Sequence, residues 1–399
     1  MLGKTNITTL AEGVVVTEIE DFNWIRMQSG LNGNFVKAIY ENSCLVAITA
    51  DGKVAYTNDG EAWQTSNLKY ANCKLEDIDW DGNQFLLVGS YKDTVERTDG
   101  TSGEYELGFI SMTVDFTSFE YIGADTNGIN LENSYNYYSK YYAVYPVNGK
   151  LVVFAMNRSR FNASSTNSTS LDMLVGDMGG LLQKHAVIEN RYIGEIFVGK
   201  NSQGVLVTNA SGSTGYTYMI DGNTLMIAKK NEVSGITSKL PVFECKDELY
   251  YTAVSDSLTY RFVKVRPSGE EILMSTDINY GFVDGVYFNK CRIFINNHEM
   301  LILRKSENVA DKSLEDLIEI APENTMTFIT KAFGQIFAFG NRGLVLRSST
   351  DGSSEETLLL QAISGKKALL EAKIYTNQLY EQLAARIAAL ETGVTRETE

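Results

Sequence analysis

The sequence predicts an all-β fold, a single closed β-propeller of about seven four-stranded blades followed by one C-terminal α-helix. Three observations carry that prediction. A short apolar run behind a tight turn recurs seven times along the chain. Gly and Tyr are plentiful, at 33 and 22 of 399 residues, while Pro numbers only 4, a balance that suits many short strands joined by glycine turns. Beyond residue 357 the apolar pattern changes from a strand period to a helical one.

The apolar runs begin at Leu45, Phe85, Leu151, Val205, Leu249, Arg292 and Ile336, so successive starts lie 40, 66, 54, 44, 43 and 44 residues apart. A four-stranded blade takes about 40–45 residues, so four of the six intervals fit one blade each, and the two long ones are expected to carry polar insertions. Turns such as Asp81-Gly82-Asn83, Asn148-Gly149 and Phe333-Gly334 precede the runs and supply residues that accept positive φ. Residues 14–28 read as an outer strand whose own blade is missing, because Trp24 stands where Trp63 stands one unit later. The expected recipient is the last blade, near residues 325–350, since a strand swapped there removes two sheet edges. The propeller then spans residues 1–357.

Residues 358–399 form the second segment. From Leu358 to Leu390 there is no Pro and only Gly365, which predicts a helix of about 50 Å at ~1.5 Å per residue. Leu369, Ala372, Thr376, Leu379, Leu383 and Leu390 fall on one seam, broken by Arg386. A lone helix cannot bury such a seam, so the expectation is a coiled-coil-like homo-oligomer, a trimer, or docking on another protein.

A formal charge of -15 excludes nucleic acid as a partner and disfavours anionic membranes. Cys44, Cys73, Cys245 and Cys291 form no CxxC pair and His185 and His298 lie far apart, so no metal site and no cofactor is expected. Four scattered thiols read as buried apolar residues of a chain folded in a reducing cytoplasm. The N-terminus lacks the apolar run of a signal peptide and no stretch is long enough to span a bilayer, so membrane insertion is not expected.

Asp77-Ile78-Asp79-Trp80-Asp81-Gly82 matches the first half of an EF-hand loop, but Val88 stands where the closing Glu would be, and a hairpin turn is the better reading. A glycan-cleaving propeller needs an arginine cluster, an acid and a nucleophile pair. The inner strands expected at 35–40, 75–80, 193–198, 282–288 and 326–331 offer Lys37, Asp77, Asp79, Glu195, Asp284 and Lys331 and no arginine, so no enzyme is expected. Tyr135, Tyr137, Tyr138, Tyr141, Tyr142 and Tyr145 form the densest aromatic segment. They suit either stacking on a sugar ring or protein partner, or a strand of alternately buried and exposed tyrosines.

The turns after the apolar runs carry a further signature. Thr57, Asp59, Gly60 and Trp63 lie in a segment that resembles the Asp-box of sialidase and BNR-repeat propellers, and the segments holding Asp115, and Asp351 with Gly352, are weaker versions. The resemblance implies a structural turn at the blade periphery. With the run at residues 81–89 and the helix segments starting at Glu371 and Leu383, the chain resembles propeller proteins in the tails of bacteriophages and phage-tail-like bacteriocins of Gram-positive bacteria. That resemblance implies a tail fibre or baseplate protein, with other tail proteins and a host cell-surface glycan or protein as partners. It would be assembled in the bacterial cytoplasm and released by lysis, as a receptor binder, its carrier, or a purely structural adaptor.

Overall fold

The computed structural model describes residues 6–348 apart from 10–14, 19–23, 71, 97–101, 124–134, 161–167, 191–192, 212–213, 235–240, 255–259, 267–268, 277–280, 289, 304–306, 313–316 and 322–323. Strands β1 (Asn6–Thr9) and β2 (Val15–Glu18) pair only with each other, and β3 (Trp24–Arg26) follows. Blade 1 is β4 (Phe35–Glu41), β5 (Cys44–Thr49), β6 (Lys53–Thr57) and β7 (Gln64–Asn67); blade 2 is β8 (Lys74–Trp80), β9 (Phe85–Glu96), β10 (Ser102–Thr113) and β11 (Glu120–Gly123). Blade 3 is β12 (Tyr135–Val147), β13 (Lys150–Arg160), β14 (Ser168–Asp177) and β15 (Gln183–Glu189). Blade 4 is β16 (Glu195–Asn201), β17 (Gly204–Ser211), β18 (Thr214–Asp221) and β19 (Ile227–Ser234). Blade 5 is β20 (Val242–Cys245), β21 (Glu248–Val254), β22 (Tyr260–Arg266) and β23 (Gly269–Thr276). Blade 6 is β24 (Asp284–Phe288), β25 (Cys291–Ile295), β26 (Glu299–Leu303) and β27 (Leu317–Glu319). Blade 7 joins β28 (Met326–Ala332), β29 (Gln335–Gly340) and β30 (Val345–Ser348) to β3. The result is an all-β propeller of seven four-stranded blades.

Each of the seven apolar runs is the second strand of its blade. A second strand is covered on both faces by the neighbouring blades, so it reads as a continuous apolar stretch rather than an alternating one. All six residues of β5 are buried, as are Leu86–Val88, Leu151–Ala155 and Ile336–Phe339. The first strands of successive blades lie side by side around the ring, and β28 packs on β4 to close it. Thr327 Oγ1 crosses that seam to donate to the Phe35 carbonyl at 2.7 Å.

The N-terminal strand completes blade 7, with Trp24 opposite Ser348, Ile25 opposite Arg347 and Arg26 opposite Leu346. It is shorter than the 14–28 expected, because Val15–Glu18 satisfies its backbone with Asn6–Thr9 instead. The two long intervals also differ from expectation. Much of their length extends strands: β9 and β10 run 12 residues each, β12 runs 13 and β13 runs 11. The extensions of blades 2 and 3 pack together through buried Tyr91, Leu107 and Tyr137, with Tyr105 set edge-on to Tyr137 at 5.6 Å.

Cys44, Cys73 and Cys245 are buried, Cys291 is half-buried, and none forms a disulfide. Burial pushes the Cys44 and Cys73 thiols up to about 11, as expected for thiols serving as apolar filling. Among the described residues there is no α-helix, only short 3-10 turns at Val309–Asp311 and Asn341–Gly343, and no helix long and apolar enough to cross a membrane. The predicted helix, with Leu369, Ala372, Leu379, Leu383 and Leu390, lies outside the described residues, as do Asp351 and Gly352.

Candidate functional site

The seven first strands surround a central channel, a cavity of about 1400 Å³. Alternate residues of a strand share a face, so each first strand sends every second side chain toward the axis. In β8 those residues are Asp77 and Asp79, and Trp80, at the strand's end, also reaches the lining. A register shift between Leu75 and Asp77 sets the two aspartates, and shifts at Phe35/Lys37 in β4 and Met326/Phe328 in β28 repeat the irregularity. Gly89 faces the β8 shift; a Cβ there would fall 1.8 Å from the Lys74 carbonyl oxygen.

One wall of the channel is a closed charge network. Lys200 Nζ, from β16, donates to Asp77 at 3.0 Å, to Asp79 at 2.8 Å and to the Val144 carbonyl at 2.6 Å. Lys37 pairs with the other oxygen of Asp77, and the Val144 N–H donates to Asp77 at 2.9 Å. The Asp77 and Lys200 side chains are only 5% and 13% exposed, so each charge depends on its partners. Burial opposes ionisation of Asp77, but Lys200 and Lys37 outweigh it and hold the carboxyl below its ordinary range. Burial likewise opposes the Lys200 charge, and Asp77 with Asp79 overrides it, raising the ammonium pKa. Lys37 goes the other way, lowered by burial and by the nearby Lys200 despite Asp77.

The facing wall is built differently. Asp284 of β24 is 5% exposed, and its Oδ2 accepts the Ile329 N–H of the next blade at 2.8 Å. Asp77 takes the Val144 N–H of its own next blade in the same way, so both aspartates tie adjacent blades at the ring. Among the described residues no ammonium or guanidinium pairs with Asp284. Burial, eased by the Ile329 and Gly285 amides, pushes its carboxyl up to about 8, which leaves it a neutral acid at pH 7. Glu244 of β20 accepts the Asp247 N–H, and desolvation raises its pKa too.

The tyrosine segment is β12, the first strand of blade 3. Tyr137 and Tyr141 are buried, in the seam with blade 2 and against Leu86, Val88 and Ile110, which leaves neither a face for a ligand. The strand reading therefore accounts for these two, because β12 is clamped between two neighbouring blades. Tyr138 is half-buried, with its hydroxyl 3.4 Å from Asp172. Tyr142 lines the channel with Lys140 4.7 Å above its ring. The side chain of Tyr135 lies outside the described residues.

The turns at Thr57–Trp63 and Asp115 lie at the periphery, between the third and fourth strands of their blades. Thr57 Oγ1 accepts the Gly60 N–H at 3.0 Å, and Asp59 Oδ1 accepts the Glu61 and Ala62 N–H groups at 2.8 Å each. Gly60 has φ +76°, and Trp63 meets Phe339 edge-on at 6.2 Å. Thr113 and Asp115 repeat the bonding to the Phe116 and Thr117 amides. Asp81 closes a hairpin by accepting from Asn83 and Gln84, which agrees with a turn rather than a calcium loop. Among the described residues no group of three or more His, Cys, Asp or Glu is arranged to hold a metal ion.

Sequence reasoning placed Lys37, Asp77, Asp79, Glu195, Asp284 and Lys331 on inner strands; five of them line the channel, while Glu195 stands exposed at the start of β16 and does not. It missed Lys200 and Glu244. The strand expected at 193–198 stopped short of Lys200, and β20 was not anticipated.

No family model matches the chain, and no curated protein matches its sequence. Solved structures do match it in fold. The chain is similar to the WD40 domain of Neurospora crassa Pan2, with a TM-score of 0.53 at 8% identity, over 84% of this chain and 98% of that one. It is also similar to a catalytically inactive virginiamycin B lyase from Staphylococcus aureus solved with quinupristin, with a TM-score of 0.54 at 9% identity, over 83% of this chain and 100% of that one. At such identity the likeness is one of fold, the seven-bladed propeller, and carries no activity with it.

Proposed function

We propose that the protein is a non-catalytic component of a bacteriophage tail or phage-tail-like particle, a tail fibre or baseplate protein that recognises the host surface or carries the part that does. The observation that carries the non-catalytic part is Asp77. It is a buried carboxylate of the channel wall, and two lysines and a backbone amide consume its acceptor sites. A hydrolase needs such a group free to meet substrate. The tail assignment rests on the sequence resemblance, in which the turns at Thr57–Trp63 and Asp115 act as Asp-boxes that brace blade edges and the segment from Leu358 to Leu390 joins copies or neighbouring tail proteins.

The experiment is to tag the chain in the producing bacterium, purify released particles, and locate the tag by electron microscopy. The tag is expected at the tail tip or baseplate; particles lacking it would overturn the assignment. A second reading, a glycan-cleaving propeller, is favoured by one feature, the neutral carboxyl of Asp284 beside Glu244, which resembles a poised general acid. Release of reducing sugar from host wall polysaccharide by the purified chain, abolished by Asp284→Asn, would establish that reading instead.

A further inference from the structure

The first strands all run toward the same end of the channel, where each turns back into its second strand. Tyr40, Trp80, Tyr145 and Tyr287 lie within two residues of those strand ends, in blades 1, 2, 3 and 6, and all four line the channel half-buried. Four of the seven blades thus set an aromatic side chain at one mouth, with Tyr40 edge-on to Phe333 at 4.8 Å and Trp80 packed on Phe85 at 4.6 Å. Glu41 and Glu244 lie at or next to the ends of their own first strands and also line the channel.

The Tyr145 hydroxyl donates to the Asn201 carbonyl at 3.4 Å, while the polar tips of the other three aromatics are unspent. Among the described residues the hydroxyls of Tyr40 and Tyr287, the indole N–H of Trp80 and the carboxylate of Glu41 have no hydrogen-bond partner in the protein, unlike the consumed groups around Asp77. Among the described residues the Glu244 carboxylate accepts only the Asp247 N–H. Flat apolar faces beside uncommitted donors and acceptors match the surface of a sugar ring, which alternates C–H patches with hydroxyls. The charge at this mouth narrows the class. Lys331 lies at this mouth too, but the channel lining as a whole carries seven Asp and Glu side chains against four lysines, and Lys200 is committed to Asp77 and Asp79, so an added anion is disfavoured.

We propose that this mouth binds a saccharide without anionic groups, a neutral or amine-bearing glycan, inserted against Trp80. The inference rests on the host-recognition reading and names the ligand class and the face that takes it.

The test titrates the purified chain with chitotriose, maltotriose, the glucosamine trimer and sialyllactose, read by calorimetry and by tryptophan fluorescence. Saturable binding is expected for one or more of the first three and none for sialyllactose. Trp80→Ala and Glu41→Gln should each weaken it by about tenfold or more, with thermal melts showing both variants folded, while Tyr216→Ala, on β18 in blade 4, leaves it unchanged. Absence of saturable binding to all three, equal binding of sialyllactose, or indifference to both mouth variants overturns the proposal. Adsorption to host cells separates the two claims. If wild-type and Trp80→Ala chains adsorb equally, host recognition stands and the channel mouth is not its site. If the saccharide binds through Trp80 but the chain ignores host cells, the mouth stands and the recognition role falls.

Discussion

The ring of Tyr141 lies directly over Gly108, so that a Cβ on the glycine would come within 2.5 Å of the ring. Tyr141 sits on the first strand of blade 3 and Gly108 on the third strand of blade 2, and the missing side chain lets the two sheets approach. The ring cannot yield, because Val88, Ile110 and Val153 pack in the same buried cluster. Gly108→Ala is therefore expected to lower stability by about 1–3 kcal/mol, measured by urea denaturation. Tyr141→Ala removes the ring at a cost of about 3–5 kcal/mol, and adding Gly108→Ala to it should cost little more.

Lys200 holds the channel wall together by compensating two carboxylates at once. Lys200→Met leaves Asp79 unpaired among the described residues and Asp77 with Lys37 alone, an expected loss of about 3–5 kcal/mol in chemical denaturation. Adding Asp79→Asn should restore part of that loss, since it removes the carboxylate left unpaired while Asp77 keeps Lys37 and the Val144 amide. A double variant no more stable than Lys200→Met would contradict this account.

Asp284 gives the fold a pH dependence of opposite sign to the usual carboxylate. Its folded pKa of about 8 lies above the ordinary carboxylate value, so the folded state favours the proton. The stability this contributes is complete below the unfolded pKa, near 4, and is lost as pH rises toward and through about 8. Asn keeps an acceptor for the Ile329 amide without the charge. Asp284→Asn should therefore match the wild type at pH 4 and exceed it by a few kcal/mol at pH 8 in thermal or denaturant melts. Parallel stability curves for the two across that range would exclude the buried carboxyl as the cause.

Closure of the ring depends on three residue pairs between β3 and β30, supported by the Met27 N–H bond to the Val345 carbonyl at 2.8 Å. Removing residues 1–28 strips the edge of β30 and should give aggregated or unfolded protein on size-exclusion chromatography. A soluble deletion that melts cooperatively would show that the ring closes without its fourth strand.

The helix expected from Leu358 to Leu390 is argued from sequence alone. Burying a Leu contributes about 1.5–3 kcal/mol, so three or four seam residues per chain can sustain association. Light scattering is expected to show an oligomer, and replacing Leu379 and Leu383 by Asp should release propeller monomers. A monomeric wild-type chain, with the double variant still entering particles, would remove the assembly role.

The sequence by itself determined the seven blades, their second strands and the entry of the N-terminal strand into the last blade. Those features are local: a buried strand needs an unbroken apolar run, a hairpin needs residues that tolerate positive φ, and both recur at blade length. It also placed Asp77, Asp79 and Asp284 on inner strands, because period-two alternation fixes which side chains share a face. The tertiary structure alone decided what those side chains meet. Lys200 reaches Asp77 across 123 residues of chain, a pairing set by the ring and by no local signal. It also decided the tyrosine segment, since a strand clamped between neighbouring blades has two inner faces, and alternation along it no longer separates core from solvent. Tyr137 and Tyr141 became packing for that reason, while Tyr145, a few residues on, reached the channel mouth.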